Sequence, residues 1–253
     1  MATLAQERAA YEQKLRDLFE AALNDTTGED PGQGTNPGRQ AIIDYVKAKL
    51  DELLPQKEGL TFQLSTAPNL TNWLDLIIDR HLEESVKGVT MTAPPGKVWP
   101  SRLNVTTGVS YTDRPYSGYI ALPDNFLRLA SLRMLEWKRE VNSPITPEDH
   151  RYAHQQHAGI RGGAFKPVAV LMWKTLEYQN RRVLEYYSVK SSHAVDYLYY
   201  HHPMKAEDFV AKNPGLYDSL AWMCAAKVMQ ITHQDKHAEM ANKQVELSYQ
   251  KIQ

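Results

Sequence analysis

The chain has one cysteine in 253 residues, so no internal disulfide can form and no oxidising compartment is needed. That residue, Cys224, stands in the apolar run "LAWMCAAKVM", where a buried, inert thiol is expected rather than a nucleophile. Long apolar runs are also missing. None approaches the roughly 20 residues that span a bilayer. The N-terminus "MATLAQERAAYEQKLRDLFEAAL" has no apolar block of the signal-peptide kind. A soluble protein made in a reducing cytoplasm, without membrane contact, is expected. No charge of one sign dominates either, since 29 Lys and Arg face 30 Asp and Glu. Such a balance exerts no long-range pull on nucleic acid, so any attraction to DNA has to come from a local patch. The phosphate-cradling patterns GxGxxG and GxxxxGK[ST] do not occur, and no serine stands in GxSxG. These absences leave no convincing catalytic centre and no cofactor site.

What is present is the composition of a folded protein, 42% hydrophobic and 23% charged. Leu4, Tyr11, Leu15, Leu18, Phe19 and Leu23 recur at helical spacing and predict a helix over Thr3–Leu23. The glycine- and proline-rich run "NDTTGEDPGQGTNPGR" then reads as a loop. Further helices are expected over Arg39–Leu54 and Asn69–Val86. From Thr90 the texture changes, with three prolines in "TMTAPPGKVWPSRL". "GYIALP", "KPVAVLMW", "RRVLEYYSV" and "HAVDYLYYHH" read as strands, and "TLEYQNRRVLEYYS" as a hairpin turning near "QN". "TPEDHRYAHQQHA" reads as a helical insert whose first turn is set by "TPED". The last fifty residues return to helix. The expected fold is α+β, with a helical region over 1–89, a β-rich module over 90–203, and a C-terminal helical pair over 204–253 packing on the N-terminal helices.

One constellation invites a chemical reading. His150, His154 and His157 stand at i, i+4 and i+7 and would share one face of a continuous helix. Three imidazoles there could hold a transition metal, which gives a metal-dependent enzyme as the alternative function. The glutamate of an HExxH general base is missing, which favours a solvated histidine-bearing face and no metal. His233 and His237 form a second i, i+4 pair, and His201 and His202 stand at a strand end.

Aromatic residues carry a different signal. Tyr186, Tyr187, Tyr197, Tyr199 and Tyr200, with Trp137 and Trp173, crowd the β region. Adjacent strand residues point to opposite faces, so a one-sided core cannot hold both Tyr199 and Tyr200. A module covered on both faces, as in an oligomer, is expected. The run "ALPDNFLRLASLRMLEWKREV" poses the same question, because it mixes leucines with arginines and lysines. Pro123 sets a corner, Asp124 can cap a turn, and Phe126 and Leu127 can fold back onto the core. In strand phase Leu129, Ser131, Arg133, Leu135, Trp137 and Arg139 share one face and Ala130, Leu132, Met134, Glu136 and Lys138 the other. Both faces are mixed. A helix is the alternative, since Leu129, Leu132 and Leu135 or Glu136 also repeat by three and four.

These residues carry a likeness. "YIALPDNFLRLASLRMLEWKREV", "SPITPEDHRYAHQQ", "RGGAFKPVAVL" and "LEYYSV…HAVDYLYYHHP" resemble the head–tail ring (adaptor or connector) proteins of short-tailed bacteriophages, most of all those of the crAss-like phages of gut Bacteroides. Leu122, Pro123, Asp124, Phe126, Arg128 and Leu129 match the corner of that family. Asn125 between the aspartate and the phenylalanine departs from its spacing. The likeness covers about Tyr119 to Pro203. It implies a virion protein of the head–tail junction, made in the host bacterial cytoplasm: a subunit of a dodecameric ring that docks on the portal and extends the DNA channel. Its partners would be further copies of itself, the portal protein and other ring or tail proteins. DNA would pass through the lumen without specific binding, which suits a chain with little net charge, since each phosphate neutralised adds affinity and hence friction. No catalysis and no cofactor are implied. Subunit contacts would fall on Leu122, Pro123, Asp124, Phe126, Arg128, Trp137, Arg139, Tyr187, Tyr199 and Tyr200.

Overall fold

The computed structural model describes residues 37–53, 68–157, 160–190 and 192–252. The expected helix over Thr3–Leu23 and most of the loop after it lie outside the described residues. The architecture is mixed α+β, with six α-helices and two antiparallel sheets among the described residues. The chain divides into two compact units, a helical one that joins the segment before Ala93 to Met204–Gln253, and a β-rich one over Pro94–Pro203.

In the helical unit, α1 (Pro37–Leu53) buries Ile42, Ile43, Val46, Leu50 and Leu53 at three-four spacing. Helix α2 (Pro68–Thr92) buries Leu74, Ile78, Leu82, Val86 and Val89 in the same way. It runs six residues past the expected end at Val86, so the unit boundary falls after Ala93 rather than after residue 89. The non-helical stretch expected from Thr90 begins only after Ala93, where the prolines start, and Thr90 and Thr92 fit the last turn of the helix by returning their hydroxyls to it. Thr90 Oγ1 donates to the Val86 carbonyl at 2.8 Å and Thr92 Oγ1 to that of Gly88 at 2.9 Å. After a short α4 (Ala206–Lys212), the helix α5 (Tyr217–Ile231) forms the centre of the unit and packs on α1, α2 and α6 (Asp235–Gln250). Nine of its 15 residues are buried. Small residues permit the close approach: Ala221, Ala225 and Ala226 on α5, Ala238 and Ala241 on α6. Ser219 and Ser248 join α5 to α6 by a buried hydroxyl contact of 2.6 Å. His233 lies in the left-handed turn between the two helices (φ 57°), so it and His237 do not form a pair on one helix.

The β-rich unit contains two antiparallel sheets. One has the order β1 (Ser101–Arg102), β7 (Val195–His201), β4 (Arg128–Met134). The other has the order β2 (Val109–Ser110), β3 (Ser117–Ala121), β6 (Gln179–Tyr187), β5 (Ala169–Leu176). Both contribute to one core, where Ile120, Leu184 and Tyr186 meet Leu129, Leu132, Met134, Leu198 and Tyr200. The β5–β6 hairpin turns at Glu177–Tyr178, two residues before the expected "QN". Both turn residues have positive φ, 49° and 67°, the geometry that matches the strand twist in a two-residue loop, adopted here without glycine. Between β4 and β5 lies the short α3 (His150–Gln155). It starts later than "TPED" suggested, because Asp149 is its cap and accepts a hydrogen bond from the Arg151 N–H.

Candidate functional site

The corner Leu122–Leu127 carries the chain from one sheet to the other. The Leu122 N–H donates to the Arg182 carbonyl at 3.0 Å and so prolongs the β3–β6 ladder. Five residues on, the Leu127 N–H donates to the His201 carbonyl at 2.9 Å and opens the β4–β7 ladder. Between them the Phe126 N–H closes a turn on the Pro123 carbonyl at 3.0 Å, so the backbone makes the corner around an exposed Asp124. Phe126 stacks on Tyr200 with centroids 6.0 Å apart, and Arg182 Nη1 donates to the Phe126 carbonyl at 3.0 Å.

The mixed faces of the following strand have a local cause. Between Leu129 and Ser131 the pairing with β7 shifts, leaving Ala130 as an extra residue, a β-bulge. The bulge changes the phase, so that Leu129, Leu132 and Met134 all enter the core although simple alternation sets Leu129 apart from the other two. The strand then ends at Met134. The Trp137 N–H bonds back to the Met134 carbonyl at 2.9 Å, and Leu132 pairs with Val141. This reversal places Trp137 wholly inside, where Nε1 donates to the Tyr187 carbonyl at 3.0 Å.

The ten residues expected to make subunit contacts therefore separate into groups. Leu122, Phe126, Trp137, Tyr187 and Tyr200 are buried in their own unit, which corrects the expectation that their side chains meet another chain. Pro123, Arg128 and Tyr199 are half-buried, while Asp124 and Arg139 are exposed. Tyr199 and Tyr200 do point to opposite faces. Tyr200 enters the core, and Tyr199 lies beside Tyr197 with centroids 5.6 Å apart.

The main polar centre is one that the sequence reading missed. Strand β6 buries five residues in succession, Val183 to Tyr187, so both of its faces are covered. Leu184 and Tyr186 enter the main core. On the other face Tyr187 packs with Val170, Ile145 and Tyr152, the last from α3. Between these lies Glu185, 1% exposed. Its carboxylate accepts from the Tyr111 hydroxyl at 2.7 Å, from Arg114 Nη1 at 3.3 Å, and from the Tyr187 hydroxyl. Lys174 Nζ lies 4.0 Å from the ring centre of Tyr111 and 4.4 Å from that of Tyr119. Burial and the bonds to Glu185 hold the phenols of Tyr111 and Tyr187 well above their ordinary value, so both remain donors. Burial pushes the Lys174 ammonium down. With three donors on its two oxygens the carboxylate is satisfied from within, and the cluster braces the Tyr111–Arg114 segment and the α3 region against the sheet. The signal was a lone glutamate inside the apolar strand "VLEYY".

Gly108 and Gly118 were missed as well. A Cβ at either position would stand 2.4 Å from the Tyr186 hydroxyl, so the ring lies in a groove that only glycines provide. The Tyr186 hydroxyl meets His193 Nδ1 at 2.8 Å.

The histidines do not converge. Helix α3 ends at Gln155, so His157 lies beyond it, and the rings of His150 and His154 stand 6.4 Å apart with the His150 side chain 85% exposed. Among the described residues no group of three or more His, Cys, Asp or Glu is placed to hold a metal ion. The metal-enzyme alternative thus lacks a ligand set there. His201 is buried, and burial with the nearby Arg128 pushes its imidazole down to about 4. Cys224 is buried in α5 with its thiol pushed up to about 12 by burial, the state of an inert thiol.

In the helical unit Arg39 is the centre of an ion-pair cluster. It bonds Asp79, Glu83 (Nη1–Oε1 2.6 Å) and Glu207 (3.4 Å), tying α1 to α2 and α4. Lys205 and Asp208 complete a polar depression beside it. Three carboxylates around one guanidinium leave it no attraction for a further anion. Lys49, 1% exposed, pairs with Asp218 at 3.0 Å and lies 4.9 Å from the ring centres of Tyr45 and Trp222. No helix among the described residues is long and apolar enough to cross a membrane. No protein-family model matches the chain, and neither does any of the curated proteins compared with it.

Proposed function

We propose that the protein is a structural subunit of a phage particle, a ring-forming head–tail adaptor that docks on the portal and carries the DNA channel towards the tail. What supports this reading is the sequence from Tyr119 to Pro203, whose motifs around "ALPDNFLRL", "KPVAVL" and "DYLYYHHP" resemble those of the adaptor proteins. Two features of the β-rich unit support it. Its buried polar groups around Glu185 are satisfied from within, as in a scaffold. Its surface carries large apolar side chains that a partner could cover, among them Leu135 (63% exposed), Phe165 (71%) and Trp173 (63%). In this reading the subunit performs no catalysis and takes no cofactor.

With five of the ten expected contact residues inside the subunit, neighbours are met by Asp124, Arg139 and those apolar side chains. The near-balance of charge suits a conduit, because DNA in the lumen meets little net attraction. The reading predicts that the isolated protein is monomeric or weakly associated and forms a large ring, of twelve copies, when purified portal is added. Native mass spectrometry of the mixture tests it. A lone monomer in the presence of portal overturns it.

A further inference from the structure

Among the described residues, strand β5 is the edge of its sheet, and most of that edge is open. The Ile145 N–H donates to the Ala169 carbonyl at 2.9 Å, and the Leu171 N–H donates to the Ile145 carbonyl at 2.8 Å. These two bonds fix which groups face outward. Ala169 and Leu171 turn their backbone away from β6, and by strand alternation so do Trp173 and Thr175. The segment containing Ile145 covers only the first two of these residues, Ala169 and Leu171. The N–H and C=O groups of Trp173 and Thr175 have no backbone partner among the described residues.

Natural edges are commonly blunted by proline, a bulge or an outward lysine. Here β5 contains no proline, and its pairing with β6 is unbroken from Ala169 to Leu176. Its one lysine, Lys174, lies over the rings of Tyr111 and Tyr119. On the opposite face Trp173 stands exposed beside the Arg182 guanidinium. The edge has the form of an unfilled place for one more strand.

The chain contains a sequence suited to fill it. Between α1 and α2, outside the described residues, runs "LTFQLS", Leu60 to Ser65. Leu60, Phe62 and Leu64 alternate with Thr61, Gln63 and Ser65, the period-two pattern of a strand with one apolar face. Laid along β5, the apolar row would run beside Trp173 and Leu171 and the polar row beside Lys174.

We infer that the outer edge of β5 at Trp173–Thr175 accepts the Leu60–Ser65 segment of a second copy by strand addition. The inference takes the presence of a neighbouring copy from the ring reading. Donor and acceptor are different parts of the chain, so the contact is head-to-tail, the kind that closes a ring when repeated at a fixed rotation.

The test uses the full chain with a photoreactive benzophenone amino acid at position 173. Copies grown on light and heavy nitrogen are mixed with purified portal, irradiated and digested. Cross-links from a light position 173 to a heavy 54–67 peptide are the expected result. Cross-links confined to one isotope mean that each copy fills its own edge, and they overturn the inference, as does the absence of any link to that peptide. A second variant reads the edge alone. Thr175→Pro removes an outward N–H while sparing the β5–β6 ladder, and should raise the concentration needed for association about tenfold, the weight of one buried hydrogen bond. Thr175→Val, which keeps the N–H, should change it by less than about twofold on the same reasoning. Equal association by the proline and valine variants would count against strand addition. Rings seen without the cross-link leave the adaptor reading standing and remove the strand; cross-linked dimers without rings do the reverse.

Discussion

In the helical unit the ionic groups stand mostly at the rim. Arg39, Asp79, Glu83 and Glu207 bridge helices where water still reaches them, and the centre of α5 is alanine, cysteine, valine and leucine. In the β-rich unit a carboxylate lies inside, under two tyrosine hydroxyls and an arginine, and a neutral histidine is buried at a strand end. The contrast follows from the backbone. A helix satisfies its own N–H and C=O groups and can pack on others through a purely apolar stripe. Two small sheets joined by a corner leave faces that side chains have to tie together, and polar clusters fix the register of those ties. The helical unit should therefore respond to volume and helix propensity, and the β-rich unit to charge and pH.

The largest effect is expected where both demands meet. Trp137→Ala leaves a cavity in the β-rich core and frees the Tyr187 carbonyl, and should cost about 4–5 kcal/mol. Amide exchange should show protection lost over 94–203 with the helical unit retained. Equal loss in both units would break the comparison. Glu185→Ala should cost about 3–4 kcal/mol, since Arg114 and two buried hydroxyls lose their acceptor. Denaturant titration checks this; a loss under about 1 kcal/mol would put Glu185 in the class of surface charges.

Acid should act through His201. The folded state holds its imidazole at about 4 against an ordinary value of 6.5. Between those values the unfolded chain binds a proton that the folded chain refuses, so stability is full above pH 6.5 and falls as pH drops towards 4, by at most about 3 kcal/mol. His201→Gln should flatten that part of the pH–stability curve. A curve as steep as before would place the sensitivity elsewhere.

Arg39→Ala should cost only about 1 kcal/mol despite its three partners, because Asp79 and Glu83 are each more than 40% exposed. Added salt should shrink the difference further. The smallest change is a gain. Gly88 lies inside α2, and a Cβ there would meet the flexible Met223 Sδ at 3.4 Å. Gly88→Ala should stabilise by about 0.5 kcal/mol through helix propensity. Loss of stability would show that Met223 has no room to move.

Much of the fold was legible because it is local. The apolar rows of α1 and α2 and the β5–β6 hairpin follow from residue types a few positions apart, whereas the cap expected within "TPED" fell to Asp149 at its end. The change expected at Thr90 came four residues later, because the prolines that impose it act only from Pro94 and the threonines before them stay in the helix. The site was less legible. Glu185 looks like any strand glutamate until Tyr111 and Arg114, more than seventy positions earlier, are brought against it. Trp137 looked like a strand-end side chain aimed at a partner, and the turn at Leu135–Trp137 sent it inward.

By itself the sequence determined the helical character of α1, α2, α5 and α6, the β5–β6 hairpin, the burial of Cys224, and the opposite orientations of Tyr199 and Tyr200, because these depend on periodicity and polarity along the chain. Tertiary structure alone decided that the Ala130 bulge rephases β4, that Gly108 and Gly118 leave room for the Tyr186 ring, that Glu185 is enclosed by its donors, and that β5 is an edge strand among the described residues. Each depends on which distant backbone lies alongside, and pairing of that kind leaves no period in the sequence to read.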